Sequence, residues 1–167
     1  MKVGIKLLYN YNKEWGLPKY QYDGDAGIDV FAAIKYGTTL RPGERKLIPT
    51  GISVNIPEGY EIQVRPRSGL ALDDGITVLN SPGTIDQNFK NEIGIILINF
   101  NFSIENYYDD NGFSHEYLIP WSDYDISPGD RIAQIVLKKV EKIEWEVLEN
   151  LSQSDRELKG FGSSGVK

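Results

Sequence analysis

Cysteine is absent from this chain, and histidine occurs once, as His115. The first absence excludes a disulfide framework and a thiolate zinc site. The second means that a His-centred triad or a multi-histidine metal site needs another subunit, and His115 reads as an ordinary polar loop residue. No long apolar run marks a membrane span. The opening MKVGIKLLYN is too short in its apolar part for a signal peptide. An excess of positive charge is also missing: 18 basic residues face 24 acidic ones, for a net charge of −6. Nucleic-acid backbones are held by clustered Lys and Arg, so no direct nucleic-acid binding is expected. A small anion is still within reach of a few converging cations. These absences leave a soluble, cytoplasmic globular chain, and 167 residues suffice for one domain with a substantial core.

What is present is short, β-like apolar patterning. It predicts strands over Val3–Leu8, Ile28–Ala32, Arg45–Pro49, Ile52–Ile56, Tyr60–Val64, Ile76–Leu79, Ile93–Phe100 and Arg131–Val140. Turn residues punctuate the junctions, as in Arg41-Pro42-Gly43, Pro57-Glu58-Gly59, Ser81-Pro82-Gly83 and Ser127-Pro128-Gly129. Many short strands at this spacing predict an all-β sandwich, barrel or jelly roll. Only Ser68–Asp74 invites a helix. The stretch 101–124 is polar, aromatic and weakly periodic, and reads as an insertion between two strong strands. Residues 153–167 have the composition of a flexible segment.

Four polar patches interrupt the strands. Asp25 and Asp29 flank a glycine, as a turn or as a carboxylate pair that holds a hard cation through water. In Arg65-Pro66-Arg67-Ser68-Gly69, a hydroxyl and two guanidiniums precede the one helix. That arrangement is either an anion site or a simple Ser N-cap. The hairpin-like Asn80-Ser81-Pro82-Gly83-Thr84-Ile85 exposes backbone groups suited to the edge of a flat heterocycle. Asp86 just beyond it is a turn residue or a base that activates water. In the fourth patch, Asp130-Arg131 reads as a structural ion pair, while Gln134 faces either a ligand or solvent. The chain then ends on Gly160-Phe161-Gly162-Ser163-Ser164-Gly165, a glycine-rich phosphate pattern without the strand–helix context a dinucleotide fold requires.

Each patch alone is a weak signal, but their order resembles the five motifs of the homotrimeric dUTPases. They stand here as AGIDVFAA from Ala26, PRSGLA from Pro66, GTIDQNFKNEI from Gly83, GDRIAQIV from Gly129, and Arg156 followed by GFGSSG from Gly160. The resemblance spans almost the whole chain. It implies a distorted jelly roll over residues 1–153 and a mobile C-terminal arm over 154–167. It also implies Mg²⁺-assisted hydrolysis of dUTP to dUMP and pyrophosphate, at three sites shared among the subunits of a trimer. By the same resemblance, Asp29 holds the triphosphate-bound Mg²⁺ through water, and Arg67, Ser68, Gly69 and Gln134 contact phosphates. Asp86 activates the attacking water. Asn80, Gly83, Thr84 and Ile85 belong to the uracil-reading loop, and Phe89 packs on the deoxyribose. Arg156 binds the γ-phosphate, Phe161 covers the base, and Gly162, Ser163 and Ser164 close a phosphate cradle.

Some residues depart from the family pattern. Phe89 stands where Tyr is usual, which keeps the ring and removes the phenol. Lys90-Asn91 replaces the usual Arg-Gly, and Glu157 and Lys159 stiffen a segment that is often glycine. The link between Glu92 and Gly129 is longer than usual. It is expected to form an exposed protrusion over 101–124, either decorative or a surface for a regulatory protein partner of the kind met in phage enzymes. The related dCTP deaminases are the alternative enzyme class. They carry a Glu where Ile96 stands here, and an apolar side chain relays no proton. A third reading is a regulatory binding module that keeps the scaffold without catalysis.

Overall fold

The computed structural model describes residues 1–150 and Ser152. Its strands, in chain order, are β1 (Gly4–Leu7), β2 (Ile28–Phe31), β3 (Thr38–Leu40), β4 (Arg45–Pro49), β5 (Ile52–Asn55), β6 (Tyr60–Arg65), β7 (Ile76–Val78), β8 (Gly83–Ile85), β9 (Gly94–Asn99), β10 (Phe102–Tyr108), β11 (Ser114–Pro120), β12 (Tyr124–Ile126) and β13 (Arg131–Lys139). One short helix, α1 (Ser68–Asp73), follows β6. The eight predicted strands are all present, with ends shifted by a residue or two, and the helix falls where Ser68–Asp74 predicts it. The architecture is all-β, as the turn spacing anticipates, and jelly-roll-like, as the resemblance implies.

Two sheets share one core. The four-stranded sheet runs β2-β13-β6-β8 and the three-stranded sheet β4-β9-β7, every pairing antiparallel. Alternate residues of the first (Val30, Ile62, Val64, Ile85, Ala133) and of the second (Ile48, Ile76, Val78, Ile95, Leu97) enter a single buried cluster. This is the period-two pattern of strands with one face in the core. The pairs β1-β5 and β12-β3 extend the layers. Around the turn before β13, Trp15 packs edge-on against Tyr11 at 5.3 Å and tilted on Phe31 at 5.7 Å. Gly129 sits there with φ +87°, and a Cβ would meet Trp15 Nε1 at 2.8 Å, so both conformation and space require glycine.

Two sequence expectations change. The stretch 101–124 is less irregular than its weak periodicity suggests: β10 and β11 pair over seven residues from Phe102–Pro120 to Tyr108–Ser114. Both faces of this hairpin are largely exposed, so no alternation marks it. The three-residue strands β3, β8 and β12 are too short to stand out from flanking turns. The root of the hairpin is tied by buried Asn99, whose Nδ2 donates to Leu40 O at 2.8 Å and Ser122 O at 3.0 Å. Its Oδ1 accepts from Asn101 N at 2.8 Å.

Candidate active site

Pro66 has no N–H to give a ladder, so β6 stops at Arg65 and the chain turns into α1. Arg67 takes the cap position in an extended conformation (φ −87°, ψ 133°), with no side-chain capping bond. The simple Ser N-cap reading is therefore corrected: Ser68 is the first helical residue and lies exposed beside exposed Gly69. Arg67 points back across the sheet. Its Nη1 donates to Arg131 O at 2.8 Å, and its Nε lies 3.3 Å from Asp29 Oδ1.

Asp29 is the centre of this cluster. It stands on β2 with only 7% of its surface exposed. Arg131 Nη1 reaches its Oδ2 at 3.3 Å, and Gln134 Nε2 donates to its Oδ1 at 3.2 Å. The register explains the convergence, since Gln134 pairs with Asp29 on one side and with Arg65 on the other. Directly opposed residues share a face of the sheet. A register shift between Arg131 and Ala133 turns Arg131 toward Asp29. Arg131 is thus a site residue that alternation along the strand does not reveal. The expected Asp130–Arg131 ion pair gives way: Asp130 Oδ2 accepts from Ser127 N at 2.7 Å, closing the turn, while Arg131 serves Asp29. Asp25 likewise takes the turn role, accepting from Gln21 N and Tyr22 N at 3.1 and 2.9 Å. Asp29 and Gln134 open onto a cavity of about 400 Å³ also lined by Tyr22, Asp25 and Gly27. Nearby, burial raises the Tyr124 phenol above its ordinary pKa, helped by the charges of Asp74 and Asp130 and opposed by Arg67.

The remaining candidates lie elsewhere on the sheet. After a cis Ser81–Pro82 bond, Gly83 is buried against Val64, where a Cβ would sit 3.3 Å from Val64 Cβ and 3.2 Å from Asn80 Nδ2. Thr84 is exposed, Ile85 buried and Asp86 exposed, and Asn80 is exposed at the preceding turn. Asp86 O accepts from Phe89 N at 3.0 Å, and Phe89 packs on the core rim. Asp86, Asn88 and Tyr60 line a second cavity of about 400 Å³, with Lys142 at its edge.

Asp29 and Asp86 are far apart within one chain. β2 and β8 are opposite edges of the four-stranded sheet, and Ile85 pairs with Ile62, three residues from Arg65. Three interstrand steps of about 4.8 Å and three residues of about 3.3 Å place Ile85 about 17 Å from Asp29, with Asp86 beyond it. The structure therefore brings Asp29, Arg67 and Gln134 together, with Ser68 and Gly69 adjoining. It leaves Asn80–Ile85, Asp86 and Phe89 on the other edge. Arg156, Phe161, Gly162, Ser163 and Ser164 lie outside the described residues.

The model of the dUTPase family matches residues 13–107 and 121–165 of this chain. The chain belongs to the dUTPase family. The residues passed over, 108–120, run from the end of β10 through β11. A deoxyuridine 5'-triphosphate nucleotidohydrolase of Fusobacterium nucleatum is 45% identical over 164 residues, covering 98% of each chain. One from Orientia tsutsugamushi is 42% identical over 167 residues and covers both chains entirely. Among solved structures, a Staphylococcus bacteriophage 80alpha dUTPase mutant with dUpNHpp superposes with a TM-score of 0.78 at 30% identity, covering 99% of each chain. The dUTPase of S. aureus phage phi11, described for its species-specific insert, gives 0.70 at 26%, covering 92% of this chain and 100% of its own.

Mg²⁺ is the metal the family implies. Among the described residues, no group of three or more His, Cys, Asp or Glu stands together to cage an ion. Both oxygens of Asp29 already face guanidinium or amide donors. This donor set fits an ion that arrives on a triphosphate and meets Asp29 through water, the usual manner of Mg²⁺. A point mutant of the phi11 enzyme, 27% identical with a TM-score of 0.69 over 90% of this chain and 98% of its own, is described as coordinating a structural Mg(II) ion.

Proposed function

We propose that this chain hydrolyses dUTP to dUMP and pyrophosphate, keeping uracil out of DNA and supplying dUMP for dTMP synthesis. The observation that carries the reading is the Asp29–Arg67–Arg131–Gln134 cluster, built at the motif positions of a family whose relatives are named for this reaction. Arg67, Ser68, Gly69 and Gln134 hold the phosphates. Asp29 keeps the guanidinium of Arg67 in place and meets the Mg²⁺ of the bound nucleotide through water. When bound, Mg²⁺ supplies charge neutralisation and a fixed triphosphate geometry. Asp86 takes a proton from the water that attacks the α-phosphate. Asn80, Gly83, Thr84 and Ile85 present backbone donors and acceptors to uracil, and buried groups left unpaired by cytosine reject the wrong base. Phe89 stacks on the deoxyribose.

The distance between Asp29 and Asp86 supports a site shared between subunits of a homotrimer, in which one chain lends its Asp86 edge to the Asp29 cluster of another. In this reading, residues 1–153 form the catalytic domain. Residues 154–167 close over the substrate, with Arg156 on the γ-phosphate, Phe161 on the base, and Gly162, Ser163 and Ser164 against phosphate. No helix of the described residues is long and apolar enough to cross a membrane, and we place the enzyme in the cytoplasm. The exposed hairpin β10–β11 is assigned as a surface for a regulatory protein partner.

The test is pyrophosphate release from dUTP, dCTP, dTTP and UTP, each with and without Mg²⁺. Rapid release from dUTP alone is expected; ammonia release from dCTP would move the chain to the deaminase class. Sharing is tested by co-refolding the inactive variants Asp86→Asn and Arg67→Ala. Mixed trimers regain activity if the two residues act across a subunit boundary, and stay inactive if both act within one chain.

A further inference from the structure

Among the described residues, Arg65 is a cation without a carboxylate partner, standing beside the cluster around Asp29. It ends β6, where alternate residues Glu61, Gln63 and Arg65 share one face. Two side-chain bonds confirm this: Gln63 Nε2 donates to Glu61 Oε1 at 2.8 Å, and Arg65 Nη2 donates to Gln63 Oε1 at 2.8 Å. Thus the amide of Gln63 stands between Arg65 and the carboxylate of Glu61, and Arg65 forms no ion pair within 4.0 Å among the described residues. Its guanidinium has five N–H donors, of which one is engaged by a side chain. Arg65 is also partly buried. A cation withdrawn from water without a counter-charge is unfavourable unless an anion comes to it.

The register says where that anion lies. Arg65 pairs with Gln134, and Gln134 pairs with Asp29, so the three side chains form one row across the same face. Neighbouring side chains in such a row have Cβ atoms about 5 Å apart. The row and its two flanking arginines, Arg67 and Arg131, carry three guanidiniums and one carboxylate. That surplus of positive charge suits a polyanion such as a triphosphate, and guanidiniums bind phosphate oxygens in bidentate fashion.

We propose that Arg65 is a further substrate-binding residue, contacting the triphosphate beyond the α-phosphate on the side of Gln134 away from Asp29. The inference rests on the dUTPase reading of the site. Its test is Arg65→Gln, which can keep a hydrogen bond to Gln63, together with Arg65→Lys, which restores the charge. With wild-type turnover of dUTP first established, Arg65→Gln is expected to raise KM for dUTP about tenfold and to weaken competition by inorganic tripolyphosphate equally, the loss of one charge-assisted contact. Inhibition by dUMP, which lacks the outer phosphates, should not change, and Arg65→Lys should recover part of the loss. Unchanged KM and tripolyphosphate competition would overturn the proposal. So would equal weakening of dUMP and dUTP, or dissociation of the oligomer in Arg65→Gln, since Arg65 would then serve a subunit contact. A wild-type chain inert toward dUTP would instead defeat the underlying reading of the site.

Discussion

Gly27 is the position where one methyl group should separate folding from function. The residue precedes β2 and lies outside the left-handed region, so alanine introduces no backbone strain. Its Cβ would nevertheless stand 2.9 Å from Gln134 Oε1, where an ordinary contact begins near 3.4 Å. The obstacle is the far end of a flexible side chain, so the amide moves and the backbone stays. The movement required is the difference, about 0.5 Å, which is the tolerance of a working site. It also strains the 3.2 Å bond from Gln134 to Asp29. Losing that bond costs about 1 kcal/mol, while replacing glycine by alanine recovers about 0.4–1 kcal/mol through the unfolded chain. Tm should therefore stay within about 4 °C of the parent, at about 2–4 °C per kcal/mol for a chain of this size. Catalysis should not be spared. A 1 Å misplacement costs about a hundredfold, so half of it predicts a fall of about tenfold in kcat/KM. Pyrophosphate release from dUTP with Mg²⁺, read beside a thermal melt, measures both. An unchanged kcat/KM at an unchanged Tm would refute the placement of Gln134 in the site, and a collapsed Tm would refute the claim that only a side chain yields.

Asp86→Asn should keep binding of a non-hydrolysable dUTP analogue and lower kcat by about a thousandfold, the usual contribution of a general base; near-normal turnover would remove Asp86 from that role. Asn99→Leu removes the side-chain donor to Leu40 O and Ser122 O and the acceptor of Asn101 N. It should destabilise the chain by about 3 kcal/mol, lower Tm by about 6–12 °C, and speed amide exchange in β10 and β11. Asp109 has its pKa held below the ordinary 3.8, first by the N–H of Phe113 and then by His115. A lowered folded-state value stabilises above the unfolded pKa and is lost as pH falls through the folded one. The hairpin tip should thus keep its Phe113 amide protection down to pH 3.8 and lose it only below, as amide exchange will report.

Much of the scaffold was readable in advance because strand burial writes itself into alternation. Tyr60–Arg65 shows it, with Ile62 and Val64 inward, whereas Arg131–Lys139 buries the adjacent pairs Ile132, Ala133 and Ile135, Val136 and is legible as a strand from its apolar run. The hairpin β10–β11 escaped because its two faces are equally wet. Asp29, Arg67 and Gln134 were singled out separately by residue type and motif; their meeting follows from register and could not be computed from three distant segments. Arg131 was assigned to Asp130 because neighbours in sequence are the only partners a sequence displays.

The amino-acid sequence by itself determined the all-β class, the one short α-helix and, through its ordered motifs, the family, since these depend on periodicity and local residue type. Only the tertiary structure decided that Arg131 serves Asp29, that Arg65 stands in the same row with no ion pair among the described residues, and that Asp86 lies on the far edge of the sheet. Those outcomes depend on strand order and on a register shift of one residue. Both are settled by the packing of distant segments on a common core, which no local pattern encodes.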